Sequence, residues 1–334
     1  MKTNRRTNTR RWRLAKHPLW DYLHFREFLV TALLTLIPLP GLSTSQIILI
    51  LHHGNSSVYE NISSTILSDL ESICAECRTL QIKHLDIDDT PIDEILRTYK
   101  PGLKLIVTIG VKAAQLISKS ETTIPKLYTL IPKSSAVSLN LDETSNRVSV
   151  IYLDQPITRQ LNLIKLIMRD NQVLGVLLGP ATTASRMQLE SAAKNIGVPL
   201  LLESVTKEGD VGPALRRVLD GSDMLLALPD PVIYNRNTIF NILLSSYHNQ
   251  IPVVGFSASY VKAGAMLAVH STPSDIAMHI AESIRQFVFT GGIRSPEYPR
   301  YFSIEINRNV ARSLNINLPE STELKQHLEQ LEGK

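Results

Sequence analysis

The feature that most constrains this chain is a pattern that occurs twice: short apolar runs alternating with amphipathic stretches of helical spacing. In the first cycle, residues 46–51 form a buried-strand run, apolar from Ile47 onward, and 57–78 carry apolar residues at helical intervals. Residues 103–109 form another run, closed by Gly110, with a short helix predicted over 111–118 and a strand over 126–131. A second cycle follows Asp154. It has helices over 156–169, 182–196, 211–219, 235–247 and 273–289, and strands over 173–178, 200–203, 223–228, 251–255, 265–269 and 301–306. Strand runs without strict alternation belong to sheets covered on both faces. Strands alternating with helices predict parallel sheets with crossover connections. The 334 residues are enough for two such units. The expected fold class is therefore α/β, with two doubly wound, Rossmann-like lobes.

Charge is unevenly placed. Residues 1–45 hold eight basic side chains (Lys2, Arg5, Arg6, Arg10, Arg11, Arg13, Lys16, Arg26) against Asp21 and Glu27, whereas the whole chain is only +4. The remainder is net acidic, so the folded part lacks the basic surface of a nucleic-acid binder. A basic leader, the apolar run Phe28–Ile37 and the small residues Ser43, Thr44 and Ser45 read as an export signal covering 1–45. The run is short and followed by Pro38 and Pro40, which argues against a stable span; the long leader keeps a retained anchor as the alternative. The mature chain is expected to start between Ser43 and Ile47 and to be periplasmic. Cys74 and Cys77 are the two cysteines, spaced Cys-Ala-Glu-Cys. Without a second pair they make no zinc site. Two thiols on one helix face and an oxidised pair both remain open.

Ligands of doubly wound sheets bind beyond the carboxyl ends of the strands. The loops there hold Asn55, Ser56 and Ser57, Gly110 and Lys112, Thr182 and Thr183, Asp230, and Ser257 with Tyr260. Helix starts expose unpaired N–H groups that suit an anion, and the hydroxyls add donors. Ordinary helix capping explains each hydroxyl equally well, so the case for a site is their convergence on one face. Asp230, between two prolines, suits a ligand ammonium or hydroxyl; capping or turning the chain is its other reading. There is no phosphate-binding P-loop and no Gly-x-Gly-x-x-Gly, so no nucleotide cofactor is indicated. Gly255-Phe256-Ser257-Ala258-Ser259 falls short of a hydrolase nucleophile elbow, which needs Gly where Ser259 stands. His52 and His53 point to opposite faces of a strand and cannot share a metal. Asp86, Asp88 and Asp89 lack the Gly and distal Glu of a calcium loop.

Residues 173–180, 223–235, 251–256, 261–265 and 306–311, taken in order and spacing, resemble the ABC-transporter substrate-binding family, over roughly 103–319. The resemblance implies a type I periplasmic-binding fold with a three-strand hinge, a small polar or amino-acid-like ligand in the cleft, and an ABC permease as partner. It implies no catalysis and no cofactor. It also implies lobes that are discontinuous in sequence: 46–152 plus 258–298, then 153–257 plus 299–320, with 321–334 as a C-terminal tail. The crossings are expected near 151–155, 256–260 and 298–302. One departure stands out. Family members often carry Asp-Pro-Val after the fourth strand, where this chain has Ile131-Pro132-Lys133-Ser134. The lost carboxylate puts amino-acid binding in doubt unless Asp230 replaces it. A ligand-sensing or adaptor domain is the competing function, and a hydrolase a weaker one. A repressor of the same fold would need a helix-turn-helix, which 1–45 does not supply.

Overall fold

The computed structural model describes residues 46–54, 57–88, 90–141 and 145–333. The expected export signal, and Asn55, Ser56 and Asp89, lie outside the described residues.

The chain begins with β1 (Ile47–His52), α1 (Ser57–Ile73), β2 (Gln81–Asp86), α2 (Ile92–Tyr99) and β3 (Leu103–Ile109). It continues through α3 (Val111–Ser118), β4 (Lys126–Ile131), α4 (Lys133–Ser138) and β5 (Val148–Tyr152). These strands form one parallel sheet in the order β2-β1-β3-β4-β5. All six residues of β1 are buried, as a central strand of a two-sided sheet requires. Successive side chains point to opposite faces. Ile48 and Ile50 accordingly meet Ile62, Ile66 and Leu70 of α1, while Leu49 and Leu51 meet Ile95 of α2 and Ile117 of α3. The edge strand β2 has no such run, and its exposure alternates.

The second sheet is built from α5 (Ile157–Ile167), β6 (Leu174–Leu178), α6 (Arg186–Ile196), β7 (Leu200–Ser204), α7 (Val211–Asp220) and β8 (Met224–Leu226). Then come α8 (Ile239–His248), β9 (Val253–Gly255), α9 (Ala258–Ala263), β10 (Leu267–His270), α10 (Pro273–Thr290), β11 (Ser303–Ile306), α11 (Arg308–Ser313) and α12 (Ser321–Leu331). The strand order is β11-β10-β9-β8-β6-β7, parallel except for β11.

Three crossovers join the sheets. The first follows β5. The second is Ser271–Thr272, where Thr272 and Asp275 form a capping box that starts α10 with Pro273 in its first turn. The third runs back to β11. Helix α10 packs on α1, adding Ile276, Ile280 and Ile284 to the core of the first sheet. The second crossover therefore differs from the expected 256–260. Residues 258–270 belong with the second sheet, because β10 pairs with β9 through Leu267–Val254 and Ala268–Gly255 before the chain leaves.

The segment 321–334 also differs from expectation. It is not a tail: Leu324 and Leu328 of α12 are buried in the core of the second sheet. Glu332, just past α12, clasps the buried Arg159 of α5 with both oxygens, Oε2 lying 2.7 Å from Nη2. Amphipathic spacing at a chain end looks the same whether or not a groove exists to receive it, and here α5 and β11 form that groove.

Cys74 and Cys77 are joined in a disulfide just past the end of α1, both sulfurs buried among the α1 and α10 side chains. So short a loop constrains the unfolded chain little, so reduction should cost only about 2 kcal/mol. Urea unfolding with and without reductant checks this; an unchanged midpoint would refute it.

Candidate functional site

Both sheets present strand carboxyl ends to a shared cleft of about 610 Å³, within the usual range for small-ligand sites. The first sheet supplies the short helix α4 that follows β4: Lys133, Ser134, Ser135 and Ser138. The second supplies Pro180 to Thr182, Ser185 and Gln188 after β6, and Leu228 and Pro229 after β8. Asp154 and Gln155 of the first crossover, Gln160 of α5 and Tyr298 of the third crossover close the base.

A polar knot ties the three crossovers together at this base. Gln155 donates from Nε2 to Ser271 Oγ (2.9 Å), and Ser271 Oγ donates to the Tyr301 carbonyl (2.6 Å). Arg159 donates from Nη1 to Gln155 Oε1 (2.7 Å) and to the Pro299 carbonyl (3.0 Å). Gln160 Nε2 donates to the Gln155 carbonyl at 3.1 Å. Beside it, the Tyr152 N–H donates to the Glu297 carbonyl and the Glu297 N–H donates to the Val150 carbonyl. A cleft-lining side chain, Gln155, thus touches the segments that must bend if the lobes move.

On the wall of the first lobe, the Lys133 backbone N–H donates to Asp154 Oδ2 at 2.6 Å, and Lys133 Nζ donates to Tyr298 Oη at 3.1 Å. Burial raises the pKa of Asp154, opposed by the Lys133 N–H. A carboxyl with a raised folded pKa loses its proton first in the unfolded state. Stability from this group is therefore full below about pH 4 and declines as pH rises through the folded value. Asp154→Asn should flatten that decline while keeping an acceptor for the Lys133 N–H. Urea midpoints of both proteins across pH 4 to 7 check it; parallel curves would refute the assignment.

Of the described residues expected to bind, Thr182 alone lines this cleft. Its Oγ1 accepts from the Gly179 N–H (2.9 Å) and donates to Asp230 (3.1 Å). Ser57 and Thr183 are exposed helix or turn starts, and Lys112 is exposed on α3. Gly110 is structural. Its φ of +90° favours glycine, and a Cβ there would stand 2.9 Å from Tyr59 Oη. Ser257 caps α9, accepting from the Tyr260 N–H, and Tyr260 Oη donates to the Tyr234 carbonyl. Burial raises the Tyr260 phenol to about 12.

Asp230 is the main correction. It is 2% exposed and turned inward. Oδ2 accepts from the N–H groups of Ala181 (2.9 Å) and Thr182 (3.1 Å) and from Thr182 Oγ1 (3.1 Å), while Oδ1 accepts from Val232 N–H (3.0 Å). The carboxylate thus fills with the protein's own charge the N–H pair that an anionic ligand would use. Gly179 allows this, since a Cβ there would lie 2.5 Å from the carboxylate.

Sequence reasoning missed Lys133, Gln155, Gln160, Gln188 and Tyr298. The segment after β4 was findable, because it too follows a strand's carboxyl end. The glutamines carried no sequence signal. His52 stacks on His84 (ring centroids 4.4 Å apart) and His53 Nδ1 lies 2.8 Å from Asp88. Among the described residues no His, Cys, Asp and Glu cluster could hold a metal.

Two doubly wound sheets facing each other across a cleft, joined by three crossovers, define a type I periplasmic-binding architecture. A model of the family described as ABC transporter substrate binding protein matches residues 82–326, and the chain belongs to that family. No curated protein sequence matches it. The chain is similar in structure to the ligand-free, open form of a substrate binding protein with adhesive properties from Clostridium difficile, with TM-score 0.66 and 16% identity over 82% of this chain and 96% of that one. It is similar to a conserved domain protein from Vibrio cholerae (TM-score 0.55, 20% identity, 85% and 98% covered). A further similar structure is an ABC domain in complex with L-Trp from Streptococcus pneumonia (TM-score 0.55, 17% identity, 84% and 97% covered). Identities this low establish the fold alone. Among the described residues, no helix is long and apolar enough to cross a membrane.

Proposed function

We propose that this chain captures a small polar solute outside the cytoplasm and hands it to the permease of an ABC importer. The carrying observation is the cleft: its walls come from different sheets, and its base is the Gln155–Ser271–Tyr301 knot that joins all three crossovers. A solute touching both walls stabilises the arrangement in which they are closest, and a permease can read that closure. Export through residues 1–45 belongs to the same reading, and the Cys74–Cys77 disulfide suits an oxidising compartment.

The test is a thermal-shift screen of the chain against amino acids, sugars and small organic acids, followed by solution scattering with the best hit. A solute at 100 times its dissociation constant should add about 2.7 kcal/mol of stability and reduce the radius of gyration. A hit that leaves the radius unchanged would sink the capture-by-closure reading.

A further inference from the structure

We infer that the cleft selects a small monoanionic carboxylate, recognised by Lys133, rather than a zwitterionic amino acid. This rests on the solute-binding reading above and names the ligand class of that site. Among the described residues lining the cleft, the charged side chains are Lys133 and Asp154. Asp154 accepts the Lys133 backbone N–H at 2.6 Å, and burial favours its neutral form. Asp230 is spent on Ala181, Thr182 and Val232. A ligand ammonium entering the cleft would meet only a carboxyl already bonded to the Lys133 N–H and would share the space with the Lys133 ammonium.

Lys133 is held for use. Tyr298 Oη takes one of its three protons, and Nζ lies 5.4 Å and 6.0 Å from the ring centroids of Tyr298 and Tyr152. Those contacts fix the ammonium without neutralising it. One cation balances one negative charge, so a carboxylate suits the wall better than a doubly charged phosphate ester. At the base of the cleft, Gln160 is 4% exposed. Its Nε2 is committed to the Gln155 carbonyl, which fixes the amide's orientation, and its Oε1 has no hydrogen-bond partner among the described residues. A buried unpaired acceptor is costly, and a hydroxyl or amide N–H on the ligand would satisfy it. Ile157, Leu228 and Pro229 offer apolar surface for the rest of the molecule. The class is a short carboxylic acid with a hydrogen-bond donor and an apolar skeleton.

The probe is a small-molecule extract of bacterial cells, passed over an anion exchanger at pH 7. Neutral, cationic and zwitterionic compounds flow through, monocarboxylates elute at low salt, and phosphate esters and polyacids elute at high salt. After desalting, each fraction is added to the chain and melting is followed. The low-salt fraction alone should raise the melting temperature. Lys133→Met should weaken that response at least about tenfold in the amount of fraction needed, and Lys133→Arg should keep it. Both variants without extract should melt close to wild type. A rise in the flow-through or the high-salt fraction, or an undiminished response in Lys133→Met, would overturn the assignment. Should Lys133→Met fail to fold, the wild-type fractions still decide. No rise in any fraction would overturn the solute-binding reading, and the carboxylate with it.

Discussion

Removing residues 321–334 should leave the second lobe without a stable fold. The deletion strips Leu324 and Leu328, which are 1% and 0% exposed, from the core beside α5 and β11. Losing a buried leucine costs about 3 kcal/mol. It also removes Glu332 from Arg159, a guanidinium that is itself buried. Breaking one side of a buried pair costs about 3 to 5 kcal/mol, because the remaining charge is left uncompensated. The loss is on the order of 10 kcal/mol, comparable with the whole stability of a typical domain. The truncated chain should therefore be insoluble, or should lose its cooperative melting transition. A soluble product melting within about 3 °C of wild type would show that α12 is peripheral. The single variant Glu332→Ala isolates the ion pair and should by itself lower stability by about 3 kcal/mol.

Asp230→Ala should lower the stability of the unliganded chain by about 4 kcal/mol, since it leaves three backbone N–H groups and the Thr182 hydroxyl without their acceptor in a buried loop. Asp230→Asn, which keeps one carbonyl oxygen, should cost less. Chemical denaturation without ligand reads both. This is the opposite of what a ligand contact would give: a cleft-facing carboxylate would leave the empty protein's stability nearly unchanged and weaken binding alone. An Asp230→Ala protein as stable as wild type would refute the structural role. Any loss of affinity in these variants should track the loss of order in residues 180–182, because those residues form the cleft wall.

Much of the fold was legible in the sequence. The run at 46–51 marked a strand covered on both faces, and Gly110 marked an element end. The departure at Lys133 was visible as a missing carboxylate, although its consequence was sought in Asp230. Strand β2 was not read, because it is a half-exposed edge without an apolar run. The boundary of the second crossover was misplaced because a short strand such as β10 carries no mark of which sheet will accept it.

The sequence by itself determined the alternation of strands and helices, the two doubly wound sheets, and the strand ends where a site could lie. Those follow from periodicity and turn chemistry, which act between residues a few positions apart. The tertiary structure alone decided the partners of the polar groups. Asp230 meets Thr182 across 48 residues, Gln155 meets Ser271 across 116, and Arg159 meets Glu332 across 173. A carboxylate beside a cleft and a carboxylate beneath it read identically in one dimension. Which of them faces a ligand depends on the donors that packing brings within hydrogen-bond reach.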